Sequence, residues 1–370
     1  GGGDPHVDWL MEIVREIAAE NGLHPKVAVI RSEQSKDSLK AKVKAGKIAP
    51  LGPIAELTEE EIDNSHRVVA MMGPEPFQKA LEDGADIVIA GRASDAAIYA
   101  AIPLMRGADP GLAWHLGKII ECGAQVAEPR LGGDGVIGTL YDDHFTVEPG
   151  HPDKRVTRTR VAAHTLYENP SPYHLKEPTG LVDTTHAAFA QIDDRTVKVT
   201  GSRFEPANVY TVKLEGVRSL GYRTVSMAGT RDPILIGQIE SYIEHCKERA
   251  TFEAGQLGID PSTFQINIHI YGKNATMGVI EPVKEMAAHE LGLLVDVIGE
   301  TEEISKAVCA KIRYLLLHGD FEGRMCISGN MAIPFSPSDM PVGQVYEFNV
   351  WHVMECDHPL EAVRMEMEAL

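Results

Sequence analysis

The sequence predicts an α/β fold, in which a parallel, Rossmann-like sheet with helices on both faces is followed by a second, α+β domain. Three observations lead to this prediction. Short apolar runs alternate with stretches of helical periodicity over the first 125 residues or so, as in successive βαβ units. These runs are continuously apolar, which is typical of strands buried on both faces. From about residue 206 onward, alternating strands and two long helices take over.

The first domain begins with a helix from Asp4 to about Asn21, where apolar residues recur at helical spacing. Asp4 suits the N-cap of this helix and Gly22 suits its end. The elements that follow are a strand at 26–30, a polar helix to about 45, a strand at 68–72, a helix at 77–83, a strand at 86–90, a helix from about 95 and a helix at 112–122.

The second domain has a different order of elements. We expect strands at 209–215 and 223–228, a helix at 233–249, strands at 264–272 and 291–300, a helix at 302–317 and a strand at 345–355. The β-α-β-β-α-β order is that of a ferredoxin-like unit. The proline-containing segment between the two domains reads as a crossover with short strands. The predicted division is therefore 1–150, 151–205 and 206–370.

Composition and charge exclude several classes of partner. The formal net charge is −19 and no long basic stretch occurs, so neither nucleic acid nor an anionic membrane is expected as the main partner. A small anionic substrate remains compatible, because a basic pocket can lie in an acidic protein. Five cysteines without a CxxC pair favour a reducing cytoplasm over a disulfide framework. We expect a cytoplasmic protein that forms a homo-oligomer.

Polar side chains follow the predicted strands at the points where they end. In an open α/β sheet, ligands bind outside the carboxyl ends of the strands. The turns RSEQ (31–34), MGPEP (72–76) and GRASD (91–95) should therefore lie along one edge, together with the glycine-rich start of the chain. This edge collects Asp4, His6, Glu33, Gln34, Gly91, Arg92, Ser94 and Asp95.

The GRASD turn is the strongest of these candidates. A helix begins directly after it, and a helix N-terminus attracts anions through its free N–H groups. Arg92 could add a bidentate contact to a carboxylate or phosphate. The alternative is that Ser94 or Asp95 is simply the N-cap and Gly91 a permissive turn residue.

Two later segments are also rich in functional groups. Residues 162–178, with His164 and Tyr167, form either a loop that closes over a substrate or a surface crossover. Residues 328–341 place Ser336, Ser338 and Asp339 between prolines, where they either bind a ligand or terminate a turn.

No cofactor can be assigned from motifs. The GGGDPH start lacks both the dinucleotide and the P-loop patterns, so NAD and ATP are not supported. HExxH and compact His/Cys clusters do not occur. A divalent metal held by carboxylates leaves little trace in a sequence and stays open. The glycine-rich segment 130–138 reads as a flexible loop or hinge.

Taken together, several segments resemble the acyclic terpene utilisation AtuA family. They include GGGDPHVDWL, VIRSEQSKD, GADIVIAGRASDAAIYAAIPL, GLAWHLGKIIECGA, VAAHTLYENPSPY and GNMAIPFSPSDMPVGQVYEFN. The resemblance covers nearly the whole chain. It implies ligand-site membership for the GRASD turn, for Asp4 and His6, and for the PFSPSD loop. Relative to the family the chain lacks an N-terminal segment with a first strand, so we expect an N-terminally incomplete first domain.

Two functions follow as hypotheses. The first is a catabolic enzyme acting on a small or branched carboxylate or its CoA thioester, with an acid–base pair drawn from His6, Glu33 and Asp95. Such chemistry is that of a lyase, for example a hydratase, or an isomerase. A hydrolase is less favoured, because no nucleophile with a paired base is evident. The second hypothesis is a non-catalytic ligand-binding or scaffold subunit of a catabolic complex.

Overall fold

The computed structural model describes residues 2–130 and 135–370, and the chain forms two compact units. The first unit contains the residues up to Val217 together with Phe348–Leu370, and the second contains Arg218–Glu347. The predicted segment 151–205 lies within the first unit. The glycine-rich loop predicted at 130–138 lies partly outside the described residues.

The helices carry most of the residues that face the site. None of those described is both long and apolar enough to cross a membrane. In chain order they are α1 (Asp4–Asn21), α2 (Lys36–Lys44), α3 (Glu59–Asn64), α4 (Glu75–Glu82), α5 (Asp95–Met105), α6 (Pro110–Glu121), α7 (Arg158–Thr165), α8 (Pro233–Gly237), α9 (Ile239–Gln256) and α10 (Glu302–His318).

The strands are short in the first unit, apart from two long ones that cross the unit boundaries. They are β1 (Lys26–Arg31), β2 (Ile48–Pro50), β3 (Arg67–Met71), β4 (Ile87–Ala90), β5 (Ala127–Glu128), β6 (Val136–Leu140), β7 (Phe145–Pro149), β8 (Arg155–Val156), β9 (His174–Glu177), β10 (Gly180–Asp183), β11 (Ala188–Gln191), β12 (Val197–Thr200), β13 (Arg203–Pro206), β14 (Tyr210–Thr230), β15 (Phe264–Tyr271), β16 (Leu291–Gly299), β17 (Asp339–Cys356) and β18 (Arg364–Ala369).

Helix α1 forms as its periodicity predicts, with one difference at its start. The N-cap is Gly3, and Asp4 occupies the first turn, where its charge is favourable against the helix dipole. Gly22 ends the helix with φ of 63°, a left-handed conformation that glycine adopts without strain. Val7 and Met11 are buried among strand residues of the same hydrophobic cluster.

The mixed α/β class is confirmed, but the described residues do not form the predicted parallel Rossmann-like sheet. β1 pairs in parallel with β4, and its other neighbour is the antiparallel β18, which the sequence reading missed. β3 pairs antiparallel with β14, with Lys213 opposite Met71. The reason is that a strand's partner is set by tertiary packing: β14 and β18 are far away in sequence, and no local pattern announces them.

The segment predicted as a crossover, 151–205, contributes strands to two antiparallel sheets. β11, β12, β7 and β6 form one antiparallel sheet in that order, and β13, β10 and β9 form another. Phe145, Val147 and Val199 of the first sheet are buried together with Leu116 and Ile119 of α6. This core fixes the helix that carries several site residues.

The second unit has one sheet with the strand order β15-β16-β14-β17. Its helices and strands follow one another as β14, α8, α9, β15, β16, α10 and β17. With α8 and α9 taken together, this is the order of a ferredoxin-like unit. The two strands expected at 209–215 and 223–228 are one continuous strand, β14. Gly221 lies between the two predicted segments, with φ of 118°, and a side chain there would collide with the carbonyl of Gly299. This glycine explains the apparent break in the strand pattern.

Candidate functional site

The three predicted strand-end turns meet in the first unit. The N–H of Arg92 donates to Ser32 Oγ at 2.9 Å. The N–H of Met72 donates to the carbonyl of Arg92 at 3.1 Å, and the N–H of Ser94 donates to the carbonyl of Met72 at 2.9 Å. A Cβ added at Gly91 would lie 2.9 Å from Ser32 Oγ, so this close approach requires glycine. The RSEQ, MGPEP and GRASD turns are therefore packed against one another.

The start of α1 joins these turns through Glu33. The N–H of Asp4 donates to Glu33 Oε2 at 3.1 Å, while Arg67 contacts both oxygens of Glu33 at 2.8 Å. His6 is exposed. The side-chain amide of Gln34 donates to two backbone carbonyls at 2.8 and 2.7 Å. These contacts tie Glu33 and Gln34 to the fold. That Asp4, His6, Glu33 or Gln34 acts on a ligand stays a prediction.

The guanidinium group of Arg92 in the GRASD turn has carboxylate and carbonyl partners. Its Nε donates to Glu215 Oε2 at 2.8 Å, and its Nη1 donates to the carbonyl of Ala93 at 2.6 Å and contacts Asp95 Oδ1 at 3.4 Å. Burial alone would raise the pKa of Glu215, but Lys213 and Arg92 together lower it. The charge of Arg92 is thus compensated by a carboxylate, and an anionic ligand would have to compete with Glu215.

Ser94 and Glu177 form the most unusual polar contact of this region. Ser94 is the N-cap of α5, yet its hydroxyl makes no capping bond; Oγ instead donates to Glu177 Oε2 at 2.6 Å. Burial raises the pKa of Glu177 to about 7, although Ser94 and Lys118 act to lower it; Asp95 adds to the rise. A carboxyl group with this pKa is protonated about half of the time near neutral pH.

Lys118 and Glu121 form a buried ion pair beside this acid. Both lie in the last turn of α6, and their side chains are 12% and 6% exposed with Nζ 2.6 Å from Oε1. Lys118 Nζ also lies 5.2 Å from the ring centroid of Tyr167. Burial raises the pKa of the neighbouring Cys122 thiol, and Glu121 raises it further. The thiolate is therefore disfavoured, and Cys122 is a poor nucleophile.

His164 is the second unusual group. It is 5% exposed, and its Nε2 has no hydrogen-bond partner within the part of the chain that the structure describes. The ring stacks on Tyr167, with centroids 5.3 Å apart and planes 14° apart. Burial lowers the pKa of His164, and Lys118 lowers it further. The imidazole is therefore neutral at pH 7, with a buried nitrogen available to a ligand.

A further half-buried carboxyl group, that of Glu75, belongs to the MGPEP turn itself. The hydroxyl of Tyr210 donates to Glu75 Oε2 at 2.9 Å and accepts from the N–H of Gly73 at 3.2 Å. Burial raises the pKa of Glu75 and of Tyr210. A Cβ at Gly73 would lie 3.3 Å from Pro178, the residue that follows Glu177. The turn that contains Glu75 therefore packs against the residue next to Glu177.

The remaining predicted residues belong to the second unit. Ser336 is exposed and Ser338 is half-buried. Arg313 donates to both carboxylate oxygens of Asp339, at 2.7 and 3.1 Å. Asp339 thus begins β17 as the partner of a helix residue, and a binding role for the three stays a prediction.

Sequence reasoning named Ser94, Asp95, His164 and Tyr167 in this neighbourhood but missed Glu177, Lys118 and Glu121. Glu177 lies at the end of the segment 162–178 that was singled out for its density of functional groups. Lys118 and Glu121 look like an ordinary i,i+3 surface pair, and only the packing of α6 reveals that they are buried. Over the described residues, no group of three or more His, Cys, Asp or Glu could hold a metal ion.

This arrangement suits proton transfer. A carboxyl group that exchanges its proton near pH 7 is oriented by a hydroxyl and lies within the electrostatic reach of Lys118, and the same ammonium group acts on the neutral imidazole of His164. Groups with strongly shifted pKa values and specific charged neighbours cluster at functional sites.

Comparisons with known proteins add one finding. Neither the curated proteins nor the solved structures contain a match to this chain. The family model described as acyclic terpene utilisation family protein AtuA matches residues 1–330 of the 370-residue chain. All but the last of the segments that carry the resemblance lie within this match, and residues 331–349 of that last segment lie beyond it. The chain belongs to the AtuA family of acyclic terpene utilisation proteins.

Proposed function

We propose that this chain is an enzyme of acyclic terpene or related acid catabolism that moves a proton on a small or branched carboxylate or its CoA thioester. Membership of the AtuA family suggests a role in acyclic terpene utilisation. The observation that carries the chemical part is Glu177, whose pKa burial raises to about 7 and whose carboxyl group receives the Ser94 hydroxyl.

In this proposal Glu177 takes the proton from the carbon next to the substrate carbonyl and later returns it. Ser94 holds the carboxyl group in one orientation. Lys118, which lies close enough to lower the pKa of Glu177, stabilises negative charge that develops on the carbonyl oxygen. Return of the proton at another carbon gives an isomerase. Loss or addition of water next to that carbon gives a lyase such as a hydratase.

The substrate is held by polar groups around this acid. His164 Nε2 is one of the buried side-chain atoms without a partner among the described residues, and a substrate oxygen or N–H group would satisfy it. Arg92 would bind an anion only by releasing Glu215, so we assign it to positioning the GRASD turn. A hydrolase is less favoured, because the pKa of Cys122 is raised. Cytoplasmic localisation and homo-oligomerisation stay predictions.

Deuterium exchange tests this proposal without knowledge of the product. The purified chain is incubated in D₂O with a panel of branched carboxylates and acyl-CoA thioesters, and NMR detects exchange of the hydrogen next to the carbonyl. We expect exchange with at least one thioester, and Glu177→Gln should slow it by about 100-fold or more. Glu205→Gln is the matched control, because Glu205 is exposed. Equal exchange rates for Glu177→Gln and the wild type would remove Glu177 from the mechanism.

The second candidate is a non-catalytic ligand-binding or scaffold subunit. Two predicted site residues, Glu33 and Arg92, are each bound to a residue of opposite charge, as in a purely structural network. If no compound of the panel undergoes exchange while one of them still raises the melting temperature of the protein, the protein is a ligand-binding subunit and not an enzyme of this class.

A further inference from the structure

The first unit contains a basic cleft that the proposed chemistry does not use. Its volume is about 890 Å³, which is within the range of small-molecule sites. The cations among its lining residues are Arg130, Lys154, Arg155, Arg160 and Arg195. The carboxylates that line it are Glu128, Asp153 and Asp194. The cleft therefore carries more positive than negative side chains, in a chain whose formal net charge is −19.

Arg195 is held rigidly by neutral groups. Its Nε donates to the carbonyl of Lys154 at 2.9 Å, and its Nη2 donates to the carbonyl of His151 at 2.7 Å and to that of Pro149 at 3.4 Å. Backbone carbonyls hold the guanidinium group, and the nearby carboxylate that acts on its charge is Asp193, which accepts the backbone N–H of Arg195 at 2.7 Å. A pre-positioned cation of this kind binds a phosphate group without the loss of side-chain entropy that a free arginine incurs.

Arg155 and Arg160 share a single carboxylate. Arg155 Nε contacts Glu128 Oε1 at 3.0 Å and Arg160 Nε contacts Oε2 at 3.2 Å. These two arginines hold the pKa of Glu128 below its usual range. Two guanidinium groups on one carboxylate leave one unit of positive charge. Arg130, whose Nη2 donates to the amide oxygen of Gln125 at 2.7 Å, adds another cation that has a neutral partner.

The cleft lies close to the acid–base site. Arg160 and His164 are four residues apart on α7, so they lie on the same face of the helix, about 6 Å apart along its axis. Arg130, which lines the cleft, is near enough to contribute to the lowered pKa of His164. One elongated ligand can therefore place a charged end in the cleft and a reactive end near His164.

We propose that the basic cleft binds the phosphorylated ADP portion of a CoA thioester, whose acyl end reaches the site around Glu177 and His164. This inference rests on the proposed function, because it selects the thioester over the free carboxylate. The phosphates of coenzyme A supply the negative charge that Arg160 and Arg195 attract, and the pantetheine arm leads from Arg160 along α7 toward His164. The free acid would leave the cleft unused.

Calorimetric titration of the full chain with coenzyme A itself tests the cleft without any turnover. We expect saturable binding that weakens as salt is added. Arg195→Gln and Arg160→Gln should each weaken it by about 10-fold. Arg160→Gln keeps the test decisive where Arg195→Gln does not fold, because the side chain of Arg160 is 39% exposed. Arg158→Gln is the matched control: Arg158 is exposed on the same helix and does not line the cleft, so binding should stay within about 2-fold of the wild type.

The outcomes separate this inference from the proposed function. No binding of coenzyme A, or equal binding by Arg195→Gln, Arg160→Gln and the wild type, overturns the cleft assignment even where deuterium exchange on a free acid persists. Inorganic diphosphate that binds as tightly as coenzyme A would make the cleft a general anion site and also overturn it. Coenzyme A binding that survives in Glu177→Gln, together with unchanged exchange rates, supports the cleft and rejects Glu177 as the acid–base group.

Discussion

Two buried histidines on consecutive helices of the first unit are satisfied in different ways. His115 on α6 has partners for both ring nitrogens, Ser202 Oγ at 2.7 Å and Thr165 Oγ1 at 2.9 Å. His164 on α7 has none for Nε2 among the described residues. Burial lowers the pKa of both. An unpaired buried nitrogen costs free energy, so His164 Nε2 is a candidate for a ligand contact, whereas His115 belongs to the core.

The same contrast separates two acids of the candidate site. Glu33 contacts Arg67 through both oxygens, so its charge is compensated. Glu177 receives a neutral hydroxyl and has its pKa raised by burial. A group whose partners already satisfy it supports the fold, while a group with a shifted pKa and few partners is free to exchange a proton. The predictions below test this distinction, in order of decreasing effect on the free energy of unfolding.

The largest effect should come from His115 in acid. Burial lowers the pKa of His115 to about 3, while in the unfolded chain it is about 6.5. Its contribution to stability is therefore present above about pH 6.5 and is lost as the pH falls toward 3. Between pH 8 and pH 5 this loss amounts to about 2 kcal/mol. In urea unfolding at pH 8 and pH 5, the free energy of unfolding of His115→Gln should fall by that much less than the free energy of unfolding of the wild type. An identical fall in both proteins would contradict the burial of a neutral His115.

Glu177 should act in the opposite direction. Burial raises its pKa to about 7, so the folded state holds the proton more tightly than the unfolded chain does. Its contribution is favourable at low pH and is lost as the pH rises from about 4.5 to about 7. Between pH 4.5 and pH 8 the free energy of unfolding of the wild type should fall by an amount on the order of 1–2 kcal/mol because of Glu177, and Glu177→Gln should abolish this fall. Urea unfolding at these pH values measures it, with Glu205→Gln as control; a pH dependence equal to that of the wild type would show that Glu177 titrates normally.

Most helices were predicted, because each carries its own periodicity and end signals. The exceptions are α3 and α7, which were missed, and the helix expected at 233–249, which is divided into α8 and α9. Gly22 ends α1 as expected, and the start of α5 at Asp95 follows from GRASD. Strand pairing was not predictable in the same way. The partner of β3 is β14 and that of β1 is β18, and these pairings depend on packing between distant segments.

The candidate site was predictable only in part, for a related reason. Strand-end turns can be located from local sequence, so the meeting of RSEQ, MGPEP and GRASD was foreseeable. The hydrogen-bond partner of each side chain was not foreseeable. The contacts of Arg92 with Glu215 and of Ser94 with Glu177 depend on strands and helices that only the fold brings together. Burial decides which polar residues have shifted pKa values, and burial is a property of the folded chain.

His164 should matter less to stability than His115. His164→Ala removes the stack on Tyr167 but also removes the unpaired nitrogen, so we expect a cost of about 1 kcal/mol. His115→Ala leaves Ser202 and Thr165 without their partner in a core, and should cost about 2 kcal/mol. Urea unfolding of both variants at pH 8 makes the comparison. Equal costs would place His164 in the core and remove it from the candidate site.

The smallest effect on stability should come from Asp95. Its side chain is 55% exposed in the first turn of α5, 3.4 Å from Arg92 Nη1. Asp95→Asn removes a charge that favours the helix dipole and a distant ion pair, which together contribute about 0.5 kcal/mol. This small cost makes Asp95 a clean test of its predicted acid–base role in the deuterium-exchange assay. If the exchange rate falls as far as in Glu177→Gln, Asp95 takes part in the proton transfer. If the rate stays within about 2-fold of the wild type, the charge of Asp95 serves only the start of the helix and Arg92, and Glu177 acts as the acid–base group alone.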